Sequence, residues 1–287
     1  LGYVFSSITG IPPILVLQGY PMITSSTLVL SVFLVAKRLF RSNFYGVVSA
    51  ILTLFGNVGF QYIFTPHSLA GALLPLLFLV FIARAKKRSN FVVFMLLYAG
   101  IVATYGLFPI YFAFVVLSVG AITLMFRRAR FRGGKEVSKD FVFFTIVLLL
   151  AYMMFKAQFG LERSAFTLKV FFSRTPTGGT YAEELSSSLV FPKLVWIRSG
   201  MLIIYLVGGI LATLYLLKAF IRHKHAKYTY LFFMNAFSMF LLLLSPYFHY
   251  SLPDIRAWYL IITSSSLSAP IIFSKLKKAQ ALYIIVL

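Results

Sequence analysis

PHSLAGALLPLLFLVFIARAKKRSNFVVFMLLYAGIVATYGLFPIYFAFVVLSVGAITLMFRRAR, residues 66–130, decides the fold of this chain. An apolar run of helical length ends in the basic cluster RAKKR (84–88). A second run reaches YGLFP, where Gly106 and Pro109 suit a tight bend, and a third ends in RRAR. Runs of about 17–22 apolar residues are long enough to cross a bilayer core as helices. The expected class is therefore all-α, a polytopic transmembrane helix bundle.

Composition agrees. The chain is 60% hydrophobic and only 11% charged, too few charges to coat a soluble globule. Lys and Arg number 27 against six Asp and Glu, a net charge of +21. On a soluble protein that balance would suggest nucleic acid. Here the charges gather at the ends of apolar runs, the mark of cytoplasmic loops, and no nucleic-acid partner is expected. The absence of cysteine excludes disulfides and zinc–thiolate sites. No Walker A pattern, GxGxxG or HExxH occurs, which argues against nucleotide-driven transport by this chain alone. The start lacks the charged n-region of a signal peptide, and the end stops inside a fresh apolar run from Ala281. Residues 1–287 are accordingly expected to be one transmembrane domain excerpted from a longer protein.

Five basic clusters fix the expected topology: 37–41, 84–88, 127–139, 218–227 and 275–278. If all are cytoplasmic, every interval between them must hold an even number of crossings. Each interval does. Spans are expected at 14–36, 43–64, 66–83, 90–105, 108–126, 140–157, 197–217, 228–245 and 256–274, about nine in all. This is a multi-pass protein of the cell membrane, its basic loops cytoplasmic and the lipid bilayer its first partner. One long extracytoplasmic loop, 158–196, stands out, because the other outer turns take a handful of residues. Loops of that length are usually functional or disordered, and the aromatic residues here argue for a loop lying along the interface. Four of the six acids, Glu162, Glu183, Glu184 and Asp254, fall on the same outer side.

Three constellations on that side could carry chemistry. TPTGGTYAEELSSS (175–188) sets Glu183 and Glu184 behind a glycine turn. A carboxylate there can ligate a hard divalent cation, Mg or Mn, or act as a base. Equally, Thr180 and Glu183 form the T-x-x-E of a helix capping box. Arg256 heads the last complete span, where it could hold a phosphate by charge-assisted hydrogen bonds or anchor the helix at the interface. Asp254 would be its N-cap or local partner. His67, in TPHSLAG, could ligate metal or carry a proton, or could be a loop histidine beside a helix that Pro66 opens.

YPMITSSTLVLSVFLVAKRLFRSNFYGVVSAILTLFGNVGFQYIFTPHSLAGALLPLLFLVF (20–81) resembles the middle spans of GT-C type membrane glycosyltransferases. FFSRTPTGGTYAEE (171–184), followed by four apolar runs, is similar in layout to the late outer loop of the oligosaccharyltransferase catalytic subunit. The resemblance implies an enzyme that takes a sugar or glycan from a polyprenyl-phosphate-linked donor on the extracytoplasmic face. It implies that Glu183, with Glu184, supports a metal or orients the acceptor. It also implies that Arg256, with Arg174 or Arg163, neutralises the departing lipid phosphate. On this reading Glu183 and His67 are the metal ligands. The sequence departs from that family at TPHSLAG, which holds His67 where the family has a carboxylate. The family's main catalytic Asp or Asp/Glu pair would lie upstream of Leu1. A transporter or flippase of lipid-linked glycans, and an O-antigen-type polymerase using Arg163, Arg174 and Arg198, are the alternative readings. Sugar, acceptor and oligomeric state are not legible.

Overall fold

Pro12 and Pro13 open the first helix: Pro12 is extended and Pro13 takes an early helical position, where a missing N–H costs nothing. This computed structural model describes residues 7, 10–57, 66–83, 88–104, 107–125, 142–152, 154, 192–223, 226–244 and 253–275, some of them by backbone alone. Among these the structure is all-helical. The helices are α1 (Pro13–Phe40), α2 (Asn43–Asn57), α3 (Pro66–Ala83), α4 (Arg88–Thr104) and α5 (Leu107–Met125). They continue with α6 (Val142–Tyr152), α7 (Pro192–His223), α8 (Ala226–Leu244) and α9 (Pro253–Lys275). Each of the nine expected spans therefore has its helix.

The chain divides into two compact units, Leu1–Tyr105 and Gly106–Leu287. In the first, α1 packs on α2 and α3, and α3 on α4. The Tyr20 hydroxyl lies 2.9 Å from Ser68 Oγ, joining the start of the apolar part of α1 to the start of α3. Packed along each other from this contact, the two helices run parallel. α2 turns back after only Arg41 and Ser42, and α4 returns along α3 with Phe81 and Phe94 at 6.4 Å. The basic cluster 37–41 and Arg88 at the start of α4 consequently share one end of the unit.

In the second unit α8 packs on α5, α7 and α9, and α7 also packs on α9. Phe114 and Phe237 stack at 4.0 Å, and Tyr111 stacks on Phe237 at 5.7 Å. Tyr111 also reaches Met234 and Ser238, whereas Phe114 reaches back to Phe233, so α5 and α8 are antiparallel. Asn235 meets Ser268 and Ser238 meets Ser264, an order that makes α8 and α9 antiparallel as well. The ends of α5 and α9 and the start of α8 therefore lie together, each next to a basic cluster.

Both units bury Ser and Thr beside their apolar cores and expose large apolar side chains. The stripe Leu28, Val32, Val35 and Ala36 of α1 is buried, and Thr24 and Ser31 are buried with it. Its opposite face is also apolar: Met22, Ile23 and Leu30 are 62–74% exposed. A helix hydrophobic all round is a core helix or a membrane span. α7 likewise exposes Ile203, Ile204, Val207 and Leu211, while Thr263–Ser266 and Ser268 of α9 are buried. Tyrosines aside, every buried polar side chain among the described residues is Ser, Thr or Asn; none is charged. By length and composition one helical segment, Gly19–Phe40, is sufficient by itself to cross a membrane, and the other apolar stretches within the described residues run 10–17 residues.

Candidate functional site

Helix starts position the two expected site residues that the backbone describes. α3 begins at Pro66, so His67 is its second residue, next to the buried Ser68 that ties this end to α1. α9 begins at Pro253, which puts Asp254 inside the first turn rather than at the N-cap, with Arg256 one turn from the start. The side chains of His67, Asp254 and Arg256 are outside the described residues. Glu183, Glu184, Arg163 and Arg174 fall wholly outside them, between α6 and α7. His67 belongs to the first unit and Arg256 to the second, so the described geometry joins none of these residues to another.

What the described residues do assemble is a buried polar seam in the second unit, which sequence reasoning passed over. Tyr111 donates its hydroxyl to the Met234 carbonyl at 3.0 Å, and Ser238 Oγ lies 3.3 Å from the same hydroxyl. Ser238 also donates to the Met234 carbonyl at 2.7 Å and sits 3.2 Å from Ser264 Oγ. Asn235 Nδ2 donates to Ser268 Oγ, and Ser265 Oγ donates to the Tyr205 carbonyl at 3.3 Å. The seam links α5 to α8, α8 to α9 and α9 to α7. Its signal was in the sequence: Asn235 and TSSSLS (263–268) interrupt otherwise apolar helices.

Chemically the seam is packing. A serine becomes a nucleophile only beside a base, and no acid or histidine is among these partners. Asn235 Oδ1 and Ser266 Oγ are buried without a hydrogen-bond partner among the described residues. Between apolar helices such side chains hold helix to helix, at about 0.6 kcal/mol for an average interhelical hydrogen bond. Small residues let the backbones approach. A Cβ built on Gly209 of α7 would lie 2.2 Å from Met239 Cε of α8 and 2.6 Å from Ser265 Oγ of α9. Among the described residues no three His, Asp or Glu come together as a metal site. The cation ligands expected from the sequence, Glu183 and His67, have side chains outside the described residues.

No family profile matches the sequence, and no curated protein matches it. Two solved structures of the Archaeoglobus fulgidus oligosaccharyltransferase are similar to it. One, in complex with Zn and sulfate, gives 17% identity and a TM-score of 0.47, covering 99% of this chain and 41% of that one. The other, tethered to an acceptor peptide containing the NVT sequon, gives 17% identity and a TM-score of 0.46, covering 98% and 41%. The likeness is distant. The chain spans about two fifths of the length of the structures it matches.

Proposed function

We propose that the chain is the multi-pass membrane portion of a GT-C type glycosyltransferase. It would transfer a sugar or glycan from a polyprenyl-phosphate-linked donor at the membrane face opposite its basic loops. The membrane part of the reading is carried by one observation: Ser, Thr and Asn are buried between helices whose outer faces are Met, Ile, Leu and Val. Exposed apolar surface on that scale is disfavoured in water, whereas lipid accommodates it and small polar residues between helices suit it. The parallel course of α1 and α3 within the first unit, and of α5 and α9 within the second, supports crossings that bring each unit's basic clusters to one end of that unit. The enzymatic part is carried by the T-x-x-E of the 158–196 segment and by its place between α6 and α7.

In this scheme Arg256 sits at the phosphate of the donor, with Arg174 or Arg163. Their guanidinium groups stabilise the negative charge that grows on the lipid phosphate as the glycosidic bond breaks. Glu183 orients the acceptor or takes its proton, with Glu184 beside it. A divalent cation, Mg or Mn, would be held by Glu183 with His67 and would supply positive charge to the donor. Carboxylate oxygen suits such ions.

Reconstituting the intact protein in liposomes with a labelled polyprenyl-pyrophosphate glycan tests the reading. The label is expected to leave the lipid and appear on an acceptor supplied on the side of residues 158–196. Movement of the intact lipid-linked glycan across the bilayer, with no transfer, would establish the flippase instead.

A further inference from the structure

The turn between α1 and α2 is built in an unusual way. α1 ends at Phe40, and Arg41 takes a left-handed conformation, φ 55° and ψ 35°. It is the one non-glycine residue with positive φ among the described residues. Glycine or asparagine closes helices in this conformation with little conflict, and an arginine does so against the crowding of its own Cβ. Helix electrostatics do not require it, because Lys37 and Arg38 already place positive charge in the last turn. A strained residue that the fold does not need points to a use for its side chain.

The surroundings define that use. Lys37, Arg38 and Arg41 are all exposed on one corner. Lys37 Nζ lies 5.8 Å from the centre of the Phe33 ring. Gly46 of α2 fits so closely against α1 that a Cβ there would come within 2.8 Å of the Phe33 ring and 3.1 Å of its carbonyl, which fixes the angle of the corner. Leu34, Phe44 and Val47 are exposed beside the charges. The sequence from Leu1 to Tyr105 contains no Asp or Glu, so the formal side-chain charge of this unit is positive only. From Gly19 to Phe40, 22 residues at about 1.5 Å each give roughly 33 Å, close to the thickness of a hydrocarbon core. The corner thus falls at headgroup depth.

We propose that the α1–α2 corner is a seat for the phosphate of an anionic phospholipid. Arg41 and Lys37 hold the phosphate, Arg38 adds charge, and Leu34, Phe44 and Val47 lie among the first acyl carbons. This rests on the membrane-spanning reading, which is tested separately by alkaline carbonate extraction. A protein released by carbonate fails as a membrane span. A protein retained in membranes leaves the corner to be judged on lipid binding alone.

The binding test uses the purified full protein in neutral detergent, titrated with phosphatidylglycerol or phosphatidylcholine and read by native mass spectrometry. Phosphatidylglycerol is expected to bind in preference. Arg41→Gly should lower its affinity roughly fivefold and the Lys37→Gln/Arg38→Gln/Arg41→Gln variant about a hundredfold, as loss of one and three near-surface charges. Arg41→Lys should retain most of the affinity. Because glycine suits the left-handed turn, Arg41→Gly should keep the thermal midpoint of the parent, which separates lost binding from lost fold. Undiminished phosphatidylglycerol binding by Arg41→Gly and the triple variant would overturn the proposal. So would displacement of the lipid by inorganic phosphate at equal concentration, because the seat would then not be one for a headgroup.

Discussion

Replacing Glu183 by glutamine is expected to lower glycan transfer about 10²- to 10⁴-fold, the usual worth of a positioned acid–base group. The substitution separates the two meanings of T-x-x-E. In a capping box the residue three after the Thr is Glu or Gln, since either side chain can accept the N-cap N–H. Glutamine therefore preserves a cap, the expression level and the thermal midpoint. It cannot take a proton, and it is a poor ligand for a hard cation, which favours carboxylate oxygen. A protein that folds but does not transfer is the expected result. Glu184→Gln made in parallel should cost less, because the adjacent position points elsewhere on any regular backbone. Transfer at the parental rate by Glu183→Gln, measured in membranes with lipid-linked donor, would reduce Glu183 to a helix cap.

Gly209→Leu is expected to prevent the second unit from assembling. At Gly209 α7 lies close against both α8 and α9. Even an alanine Cβ must displace the terminal methyl of Met239 and the hydroxyl of Ser265. The methionine can move at little cost. The serine cannot do so without giving up its hydrogen bond to the Tyr205 carbonyl, one turn along α7. Gly209→Ala should therefore cost about 1–3 kcal/mol, in the range of overpacked cores. Leucine has no room and should yield aggregated protein in detergent chromatography. Gly208 is the control, since a Cβ there meets nothing within 4 Å. Gly208→Ala should be neutral or stabilising, by up to about 1 kcal/mol of helix propensity. Combining Gly209→Ala with Ser265→Gly should cost less than the sum of the two single changes, as expected of groups in direct contact. Equal midpoints for Gly208→Ala and Gly209→Ala would show that the three helices do not meet there.

The helices were legible because apolar length and punctuation act locally. Pro66 and Ala83 bound α3 as read from the sequence, and α2 starts at Asn43 as expected. α7 was not bounded well: it runs Pro192–His223, whereas its apolar run suggested 197–217. Lys193, Lys218 and Arg222 end the apolar stretch but not the helix, since the backbone hydrogen bonds of a helix do not require apolar side chains. α1 continues past Ala36 through Lys37 and Arg38 for the same reason. The left-handed Arg41 was hidden, because nothing in KRLFR distinguishes a capped turn from an ordinary polar end. The pairing of Asn235 and Ser238 of α8 with the TSSSLS run of α9 was hidden, because it is set only by the register in which the two helices pack. The candidate site remains a reading of the sequence, since its carboxylates lie in 158–196, whereas the described part of that segment begins with α7 at Pro192.

Single-cysteine labelling tests the topology most directly, and the chain suits it because it contains no cysteine of its own. Cysteines replacing Ser42, Ser138, Ser187 and Ser251, one at a time, are treated with a membrane-impermeant maleimide on intact cells and again after permeabilisation. Ser187→Cys and Ser251→Cys are expected to label from outside, and Ser42→Cys and Ser138→Cys only once the membrane is opened. Labelling of Ser42→Cys and Ser187→Cys from the same side would contradict the account, because the basic corner and the T-x-x-E segment would then share a face.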